Sequence, residues 1–262
     1  MKDFSEFLNS HCHGHLVGIG GVSMAPLAEV LVGCGLNISG SDIAESERTS
    51  HLRGLGINIY IGHDCNNISE DTDFVVRTAA AHDDNPEIVR ARELGIPVYE
   101  RTQAWGAIMK GYENALCIAG THGKTTTTSM CTHILMAAEK DPTVMIGGTL
   151  PLLKASHRVG KGNTIIMESC EYYNSFLSFY PTVAVILNIE EDHLDFFKDL
   201  DDIKRSFRSF AMHVPENGYV VANYDDANTM DALEGIGRRI VTFGRSPKAD
   251  VYAKNVVRIG SV

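Results

Sequence analysis

The chain has 262 residues, of which 44% are hydrophobic and 21% are charged, a composition that excludes disordered and fibrous proteins. Its formal net charge of −10 opposes binding to nucleic acid and to anionic membranes. The six cysteines form no Cys-x-x-Cys pair, and neither a signal peptide nor a membrane-spanning run is evident. We therefore expect a cytoplasmic protein with reduced thiols and, from its length, two domains.

Apolar runs alternate with helical patterns in the first part of the chain. The predicted strands are HLVGIG, NISGSD, INIYIG, DFVVRTA and IPVYE. Helices are predicted from Met24 to Cys34 and from Pro86 to Leu94, the latter with Asn85 as its N-cap. A further helix is predicted to end near Leu55. This alternation is typical of a parallel sheet, and we predict an α/β, Rossmann-like first domain over residues 1–104.

The pattern restarts after a short predicted helix around Trp105. Strands are predicted at ALCIAG, NTIIME, TVAVILNI, GYVVAN and RIVTFG, and helices over Lys124–Ala138 and Leu200–His213. TVAVILNI is apolar at nearly every position, which indicates a central strand covered on both faces. The last apolar stretch, VYAKNVVRIGSV, has no turn signal. We predict a second parallel-sheet domain over residues 105–262, and we expect the sequence to stop inside it.

A first glycine-rich loop, Gly18–Met24, follows a predicted strand and opens a predicted helix. Such a loop can bring backbone amides close to an anion. The dinucleotide fingerprint G-x-G-x-x-G requires glycine where this chain has Ser23, although Asp42 ends the second strand where a ribose-binding acid would lie. A dinucleotide site, another nucleotide site and a purely structural turn all remain open.

A second loop joins a buried strand to a helix, as phosphate-binding P-loops do. It contains Gly120, Thr121, His122, Gly123, Lys124, Thr125 and Thr126. We expect its amides to hold the β-phosphate of a nucleotide, Lys124 to neutralise the β- and γ-phosphates, and the Thr125 hydroxyl to bind Mg²⁺. Ile118 stands where the usual motif has its first glycine. The alternative is a chance Gly-Lys-Thr at a helix start.

Acidic residues follow two of the predicted strands in the second domain. Glu168 ends NTIIME and Glu171 comes shortly after, and we favour Glu168 as the metal-binding carboxylate because it leaves the strand at the sheet edge. TVAVILNI runs into an acidic stretch that contains His193. His193 is a candidate for a second metal position, and a helix-capping or merely polar role is the alternative.

A third candidate is the segment His11–His15, which has histidines at alternate positions and Cys12 between the first two. Imidazole and thiolate suit Zn²⁺. No second cluster follows at zinc-finger spacing, and His15 begins a buried strand, so we interpret this segment as structural.

The motifs together resemble those of the Mur ligases. HLVGIGGVSM, SGSD, DNPEI, AGTHGKTTTT, ESCEYYNSF and NIEEDHLD occur in order along nearly the whole chain. Within the family, the histidine of GTHGKT narrows the resemblance to the ligase that adds L-alanine to UDP-N-acetylmuramate and to murein-peptide ligase.

The resemblance implies an ATP-dependent amide ligase of peptidoglycan synthesis. The lactyl carboxylate of UDP-N-acetylmuramate would be phosphorylated by ATP and then attacked by L-alanine. Lys124, Glu168 and His193 would serve catalysis, with Thr125, Glu168 and His193 holding Mg²⁺. The implied contacts of the UDP-sugar in the first domain are Gly20, Gly21, Val22, Ser23, Ser41, Asp42, His63 and Thr78.

The sequence also departs from the family pattern. A third domain that binds ATP and the amino acid is missing, so we expect a fragment that binds UDP-N-acetylmuramate without forming the amide at an appreciable rate. Relatives carry a carbamylated lysine after the His-Leu-Asp motif, where this chain offers Lys198 and Lys204. A non-catalytic nucleotide-sugar module and an NAD-dependent oxidoreductase are the rival hypotheses.

Overall fold

The computed structural model describes residues 3–8 and 10–257. The chain divides into two compact units, one of Met1–Tyr112 with Thr143–Lys161 and the other of Glu113–Pro142 with Gly162–Val262. The predicted boundary at residue 104 falls inside a helix, Arg101–Met109, which packs with the first unit. The indole of Trp105 in this helix donates a hydrogen bond to the carbonyl of Ser23 at 3.3 Å.

The first unit contains the predicted alternation of strands and helices. Its elements in chain order are β1 (His13–Val17), α1 (Met24–Gly33), β2 (Asn37–Asp42), α2 (Glu47–Gly54), β3 (Asn58–Ile61), β4 (Phe74–Arg77), α3 (Pro86–Glu93), β5 (Val98–Glu100) and α4 (Arg101–Met109). The five strands pair in parallel in the order β3-β2-β1-β4-β5. The α/β, Rossmann-like prediction is therefore confirmed for this unit.

Close packing around the central strand β1 explains a glycine in it. A Cβ on Gly14 would lie 2.2 Å from the ring of Phe74, which is fully buried in β4. The Phe74 ring also packs edge-on against Phe4 at 5.0 Å. Because Gly14 has no side chain, the aromatic ring of Phe74 in the neighbouring strand can pack directly against the backbone of β1.

The rest of the chain restarts the pattern, as predicted. Its elements are β6 (Asn114–Ala119), α5 (Lys124–Ala137), β7 (Thr143–Leu150), β8 (Ala155–Arg158), β9 (Thr164–Glu168), β10 (Val183–Ile186), α6 (Leu200–Met212), β11 (Tyr219–Asn223), α7 (Ala227–Leu233), β12 (Ile240–Gly244) and β13 (Val251–Tyr252). The strands of the second unit follow the order β13-β12-β11-β10-β6-β9, and their pairings are parallel.

Three features differ from the prediction. The antiparallel hairpin of β7 and β8 was not predicted, and it belongs to the first unit, where His157 contacts Glu29 of α1 at 3.1 Å. Helix α7 was also missed. The last apolar stretch forms only the short strand β13, and its final residues, 258–262, lie outside the described part of the chain.

Strand β10 lies between β6 and β11, so the central position predicted for TVAVILNI is confirmed. It is shorter than predicted, because regular pairing ends at Ile186. Beyond that residue the backbone turns to bond the loop after β6: the carbonyl of Asn188 accepts from the amide of Thr121 at 3.0 Å.

Within the described residues, no helix combines the length and the apolar character that a bilayer span requires.

Helix α6 is amphipathic, and its buried face forms an aromatic cluster. The side chain of Asp199 caps its start by accepting from the amide of Asp202 at 2.8 Å. The rings of Phe176 and Phe210 stack at 4.5 Å, and Phe207 meets Phe176 edge-on at 5.2 Å. All three rings are fully buried.

The substitution Phe210→Ala should lower the free energy of unfolding by about 3–5 kcal/mol, because it leaves a cavity beside Phe176. Urea denaturation measures this loss. Met212→Ala, two residues along the same helix at a 41% exposed position, is the control and should change the stability by less than about 0.5 kcal/mol. Equal losses for both variants would contradict the assignment of this core.

Candidate functional site

The loop between β6 and α5 presents an uncapped helix N-terminus. Gly123 precedes the helix with a φ of 85°, a left-handed conformation that favours glycine, and no side chain caps the helix. The amides of the first turn have no intrahelical acceptors. Free amides and the helix dipole together form a site suited to an anion, as the P-loop motif predicts.

Asn188, two residues beyond the end of β10, holds this loop. Its Oδ1 accepts from the amide of His122 at 2.8 Å, and its Nδ2 donates to the His122 carbonyl at 3.1 Å. The amides of Thr121 and His122, which we expected to face phosphate, therefore bond to Asn188 instead. Sequence reasoning missed Asn188, although a polar residue near the end of an apolar run is a signal that could have identified it.

Gly120 allows the loop to approach β10 closely. Its φ is 141°, and a Cβ at this position would lie 3.0 Å from the Cβ of Leu187 and 3.2 Å from the amide of Asn188. Any side chain here would displace the loop. The Thr121 hydroxyl adds a further link by accepting from the amide of Glu190 at 2.9 Å.

The Lys124 ammonium lies inside the loop rather than in solvent. It donates to the carbonyls of Gly120 and Thr121, at 2.6 and 3.1 Å, and to Glu171 Oε2 at 3.1 Å. The Glu171 side chain is only 2% exposed. The pair is thus largely removed from water, and each charge depends on the other for compensation.

Thr125 and Glu168 meet at the same edge of the sheet. The Thr125 hydroxyl donates to Glu168 Oε1 at 2.9 Å. Glu168 is the last residue of β9, which lies beside β6. The structure therefore brings together two of the residues predicted to bind the metal.

His193, the third predicted metal residue, lies in a different group of side chains. Ligand atoms of Glu171, Asp192 and His193 all lie within 4.8 Å of one another. His193 has a φ of 52°, its amide donates to Asp192 Oδ1 at 2.7 Å, and its ring stacks on Tyr172 at 4.3 Å. Glu171, which the sequence analysis ranked below Glu168, therefore contacts Lys124 and also belongs to the His193 group.

Glu171 is followed by a tight turn, in which its carbonyl accepts from the amide of Asn174 at 2.8 Å. After β9 the chain forms a 3-10 segment, Tyr172–Ser178, in which Tyr173 and Asn174 adopt positive φ. The Tyr172 hydroxyl donates to the carboxylate of Asp195, which raises the pKa of Tyr172. A turn made by non-glycine residues gives no periodic signal, so the sequence could not place Glu171.

The two lysines considered for a carbamylated role occupy different surroundings. Lys204 forms an ion pair with Asp231 of α7 at 2.9 Å. The backbone amide of Lys198 donates to Asp202 Oδ2 at 3.2 Å, close to the start of α6.

The first unit contains a separate cleft of about 480 Å³ at the carboxyl ends of its strands. Four of the predicted UDP-sugar contacts line it: Gly21, Asp42, His63 and Thr78. The other lining residues are Gly18, Ile43, Ala80, Ala81, His82, Asp84 and Asn85.

The other predicted contacts are not among the lining residues. The Gly20 amide donates to Asp42 Oδ2 at 2.8 Å, and the Ser23 hydroxyl accepts from the guanidinium of Arg101. Val22 is 46% exposed. Ser41 is fully buried, and its hydroxyl donates to Glu87 Oε2 at 2.6 Å.

Sequence families match both units of this fold. The Mur ligase middle domain matches residues 118–260, and the catalytic domain of the Mur ligase family matches residues 13–113. The chain belongs to the Mur ligase family, as its motifs predicted.

Two curated relatives are named UDP-N-acetylmuramate--L-alanine ligase. The one from Clostridium novyi is 47% identical, over 93% of this chain and 53% of its own length. The one from Acetivibrio thermocellus is 49% identical, over 92% of this chain and 51% of its own length. The chain thus spans about half the length of these relatives.

Solved structures of similar fold include two ligases. UDP-N-acetylmuramate-alanine ligase MurC from Thermotoga maritima is 34% identical with a TM-score of 0.76, covering 91% of this chain and 54% of that one. The UDP-N-acetylmuramate:L-alanyl-gamma-D-glutamyl-meso-diaminopimelate ligase from Neisseria meningitides is 29% identical with a TM-score of 0.79. The match covers 89% of this chain and 78% of that one.

Removing the Lys124 ammonium should destabilise the second unit, because Glu171 would remain buried without a counter-charge. We expect Lys124→Met to lower the free energy of unfolding by about 1–3 kcal/mol at neutral pH. The double variant Lys124→Met/Glu171→Gln should recover most of that loss, as urea denaturation can measure.

Lys204→Met is the matched control, since its partner Asp231 is 61% exposed. This substitution should lower the stability by less than about 1 kcal/mol. If Lys124→Met and its double variant were equally destabilised, the buried ion pair would not be the cause.

Proposed function

We propose that this chain carries the nucleotide-sugar and ATP sites of a ligase that joins L-alanine to the lactyl carboxylate of UDP-N-acetylmuramate. The observation that carries the proposal is the loop over Gly120–Thr126, with Lys124 held by Glu171 and Thr125 by Glu168 at one sheet edge. The names of relatives at 47% and 49% identity support this choice of substrates. We also propose that the protein acts in the cytoplasm.

The reaction has two steps. The carboxylate of UDP-N-acetylmuramate attacks the γ-phosphorus of ATP, which forms an acyl phosphate and releases ADP. The amine of L-alanine then attacks the acyl carbon, the amide bond forms, and inorganic phosphate leaves while the nitrogen loses its proton. Both steps build up negative charge on phosphate oxygens, so fixed cations and amide donors lower the barrier.

Lys124 is the residue of this chain that supplies such a cation. Its contacts with two loop carbonyls and with Glu171 hold the ammonium beside the helix N-terminus before any nucleotide binds. Phosphate oxygens of ATP would replace some of these contacts. The free amides of the first turn of α5 would bind the same phosphates.

The side chains at the sheet edge fit Mg²⁺, which prefers oxygen ligands. We propose that Thr125 and Glu168 hold the ion beside the nucleotide, and that Glu171 and His193 hold a second ion nearer the acyl phosphate. Asp192 completes the latter group with another carboxylate. Bound Mg²⁺ would neutralise charge on the phosphoryl oxygens.

The cleft of the first unit is the proposed site of the UDP moiety. Gly18 and Gly21 form its loop before α1, and Asp42, His63 and Thr78 supply polar side chains. A glycine-rich loop before a helix is suited to a diphosphate.

A second candidate is ligation of a peptide rather than of L-alanine. The similarity to the Neisseria meningitides ligase, with a TM-score of 0.79, favours it. Mass spectrometry after incubation with ATP, Mg²⁺, UDP-N-acetylmuramate and either L-alanine or L-alanyl-γ-D-glutamyl-meso-diaminopimelate distinguishes the two. From this chain by itself the proposal expects only the amide of L-alanine, formed far more slowly than the roughly 1 s⁻¹ of a typical enzyme, in line with the expectation from the sequence. A product only with the peptide would favour the second candidate.

A substitution in one proposed binding site should change the affinity for that site's ligand and not for the other ligand. In isothermal titration calorimetry, Lys124→Met should weaken ATP binding and leave UDP-N-acetylmuramate unaffected. Gly20→Val should weaken the binding of UDP-N-acetylmuramate and leave ATP binding unaffected. A Cβ at Gly20 would lie 2.9 Å from both Asp42 Oδ2 and Thr49 Cγ2, so the loop would have to move. If the wild-type chain bound neither ligand, the proposed function would be wrong.

Asn188 should contribute to ATP affinity without touching the nucleotide. Asn188→Ala removes both side-chain hydrogen bonds to His122, and we expect affinity to fall about tenfold because the loop loses its ordered shape. Asn163→Ala is the matched control, since Asn163 bonds Glu113 at the opposite end of the strands. An equal loss in the control would point to a general effect on stability.

A further inference from the structure

A fully buried carboxylate, Glu87, lies behind the cleft of the first unit. It occupies the first turn of α3, where the Asn85 side chain accepts from its amide at 2.9 Å. Glu87 Oε2 accepts from the Ser41 hydroxyl at 2.6 Å and contacts His63 Nδ1 at 3.0 Å. Its other oxygen, Oε1, accepts from the side-chain nitrogen Nδ2 of Asn67 at 2.6 Å.

The surroundings of Glu87 keep its charge. Burial raises the pKa of this carboxyl, but the contacts with His15, Ser41 and Asn67 outweigh it and leave the pKa below its ordinary value. The start of α3 also favours a negative charge. His15, fully buried in β1, places Nε2 at 3.6 Å from Glu87 Oε1, and that nitrogen has no hydrogen-bond partner among the residues that the structure describes.

The cleft itself lacks a permanent cation. None of its lining residues is lysine or arginine, and Asp42 and Asp84 add negative charge. Backbone amides of the glycine-rich loop can bind a diphosphate here, and positive charge from the lining itself can come only from the imidazoles of His63 and His82. Outside the lining, the Arg48 guanidinium donates to the carbonyl of Gly20 at 3.4 Å. Of the two histidines, His63 is the one in contact with Glu87.

We propose that Glu87 is a positioning residue that holds His63 as the phosphate-binding cation of this cleft. His63 Nδ1 lies 3.0 Å from Glu87 Oε2 and 2.9 Å from the oxygen of Ser41, whose own hydroxyl donates to Glu87. Directly and through Ser41, the carboxylate thus keeps a proton on Nδ1 and orients the ring. When Nε2 also carries a proton, the imidazolium lies between two anions and donates from Nε2 to a phosphate oxygen. This inference rests on the proposed binding of a uridine diphosphate sugar.

A predicted consequence is a pH dependence that the substitution Glu87→Gln changes. Without the carboxylate the imidazolium forms less readily, so the affinity for UDP-N-acetylmuramate at about pH 8 should fall about tenfold. At about pH 6, where imidazoles in general gain a second proton without help from a carboxylate, the difference from wild type should narrow to about threefold or less. The other titratable groups nearby are Asp42, His82 and Asp84 in the cleft and His15 behind Glu87, and all are unchanged in this variant.

Calorimetry on a double-mutant cycle tests the coupling. In a His63→Gln background, Glu87→Gln should have little further effect on the affinity at either pH, because the group that it orients is already absent. Asn67→Ala is the matched control: it removes the donor to Oε1 and to the Gly62 carbonyl but leaves the contact of Oε2 with His63. It should lower the affinity less than Glu87→Gln and should not change the pH dependence.

The outcomes separate this inference from the proposed function. If the wild-type chain does not bind UDP-N-acetylmuramate, both fail. If it binds, but Glu87→Gln matches wild type at both pH values or weakens binding equally with and without His63, only the inference is overturned.

A measurement on the wild-type chain avoids dependence on the folding of any variant. Imidazole ¹⁵N resonances should show His63 protonated on both nitrogens in the complex with UDP-N-acetylmuramate. A neutral ring in that complex would overturn the inference.

Discussion

The close approach of the loop after β6 to the end of β10 is the constraint on which the second unit's site depends. Gly120 has no side chain, so the backbone can pass within contact distance of Leu187 and Asn188. Asn188 then bonds the loop with its backbone and its side chain. The same contacts end the regular pairing of β10 early, so the strand is shortened where the loop needs its backbone groups.

Both units bury a carboxylate next to a group that can carry positive charge. In the second unit the pair is Glu171 with Lys124, and in the first it is Glu87 with His63. A buried charge is costly unless hydrogen bonds and an opposite charge compensate it, and here the compensating group lies at a site that we propose binds phosphate. In both units a buried acid thus contacts a group that we propose binds an anionic ligand.

The sequence predicted the repeated α/β pattern, the parallel sheets and the position of both glycine-rich loops. These features depend on local patterns: apolar runs of strand length, the Asn85-Pro86 helix start, and glycines between a strand and a helix. It did not predict the β7–β8 hairpin or the length of β10. The end of β10 depends on contacts with the distant loop after β6, and the hairpin has a contact with α1 through His157 and Glu29; no local periodicity records either contact.

For the site, the sequence by itself determined which kinds of group are present: Lys124 and Thr125 at a helix start, with acids and His193 after neighbouring strands. Only the tertiary structure decided which acid meets which partner. Glu168 pairs with Thr125, while Glu171, which directly precedes a turn with positive φ, contacts Lys124 and belongs to the His193 group. Likewise Ser41 faces Glu87 and not the cleft. The physical reason is that a strand's side chains alternate between its two faces, whereas loop side chains take directions set by contacts remote in sequence.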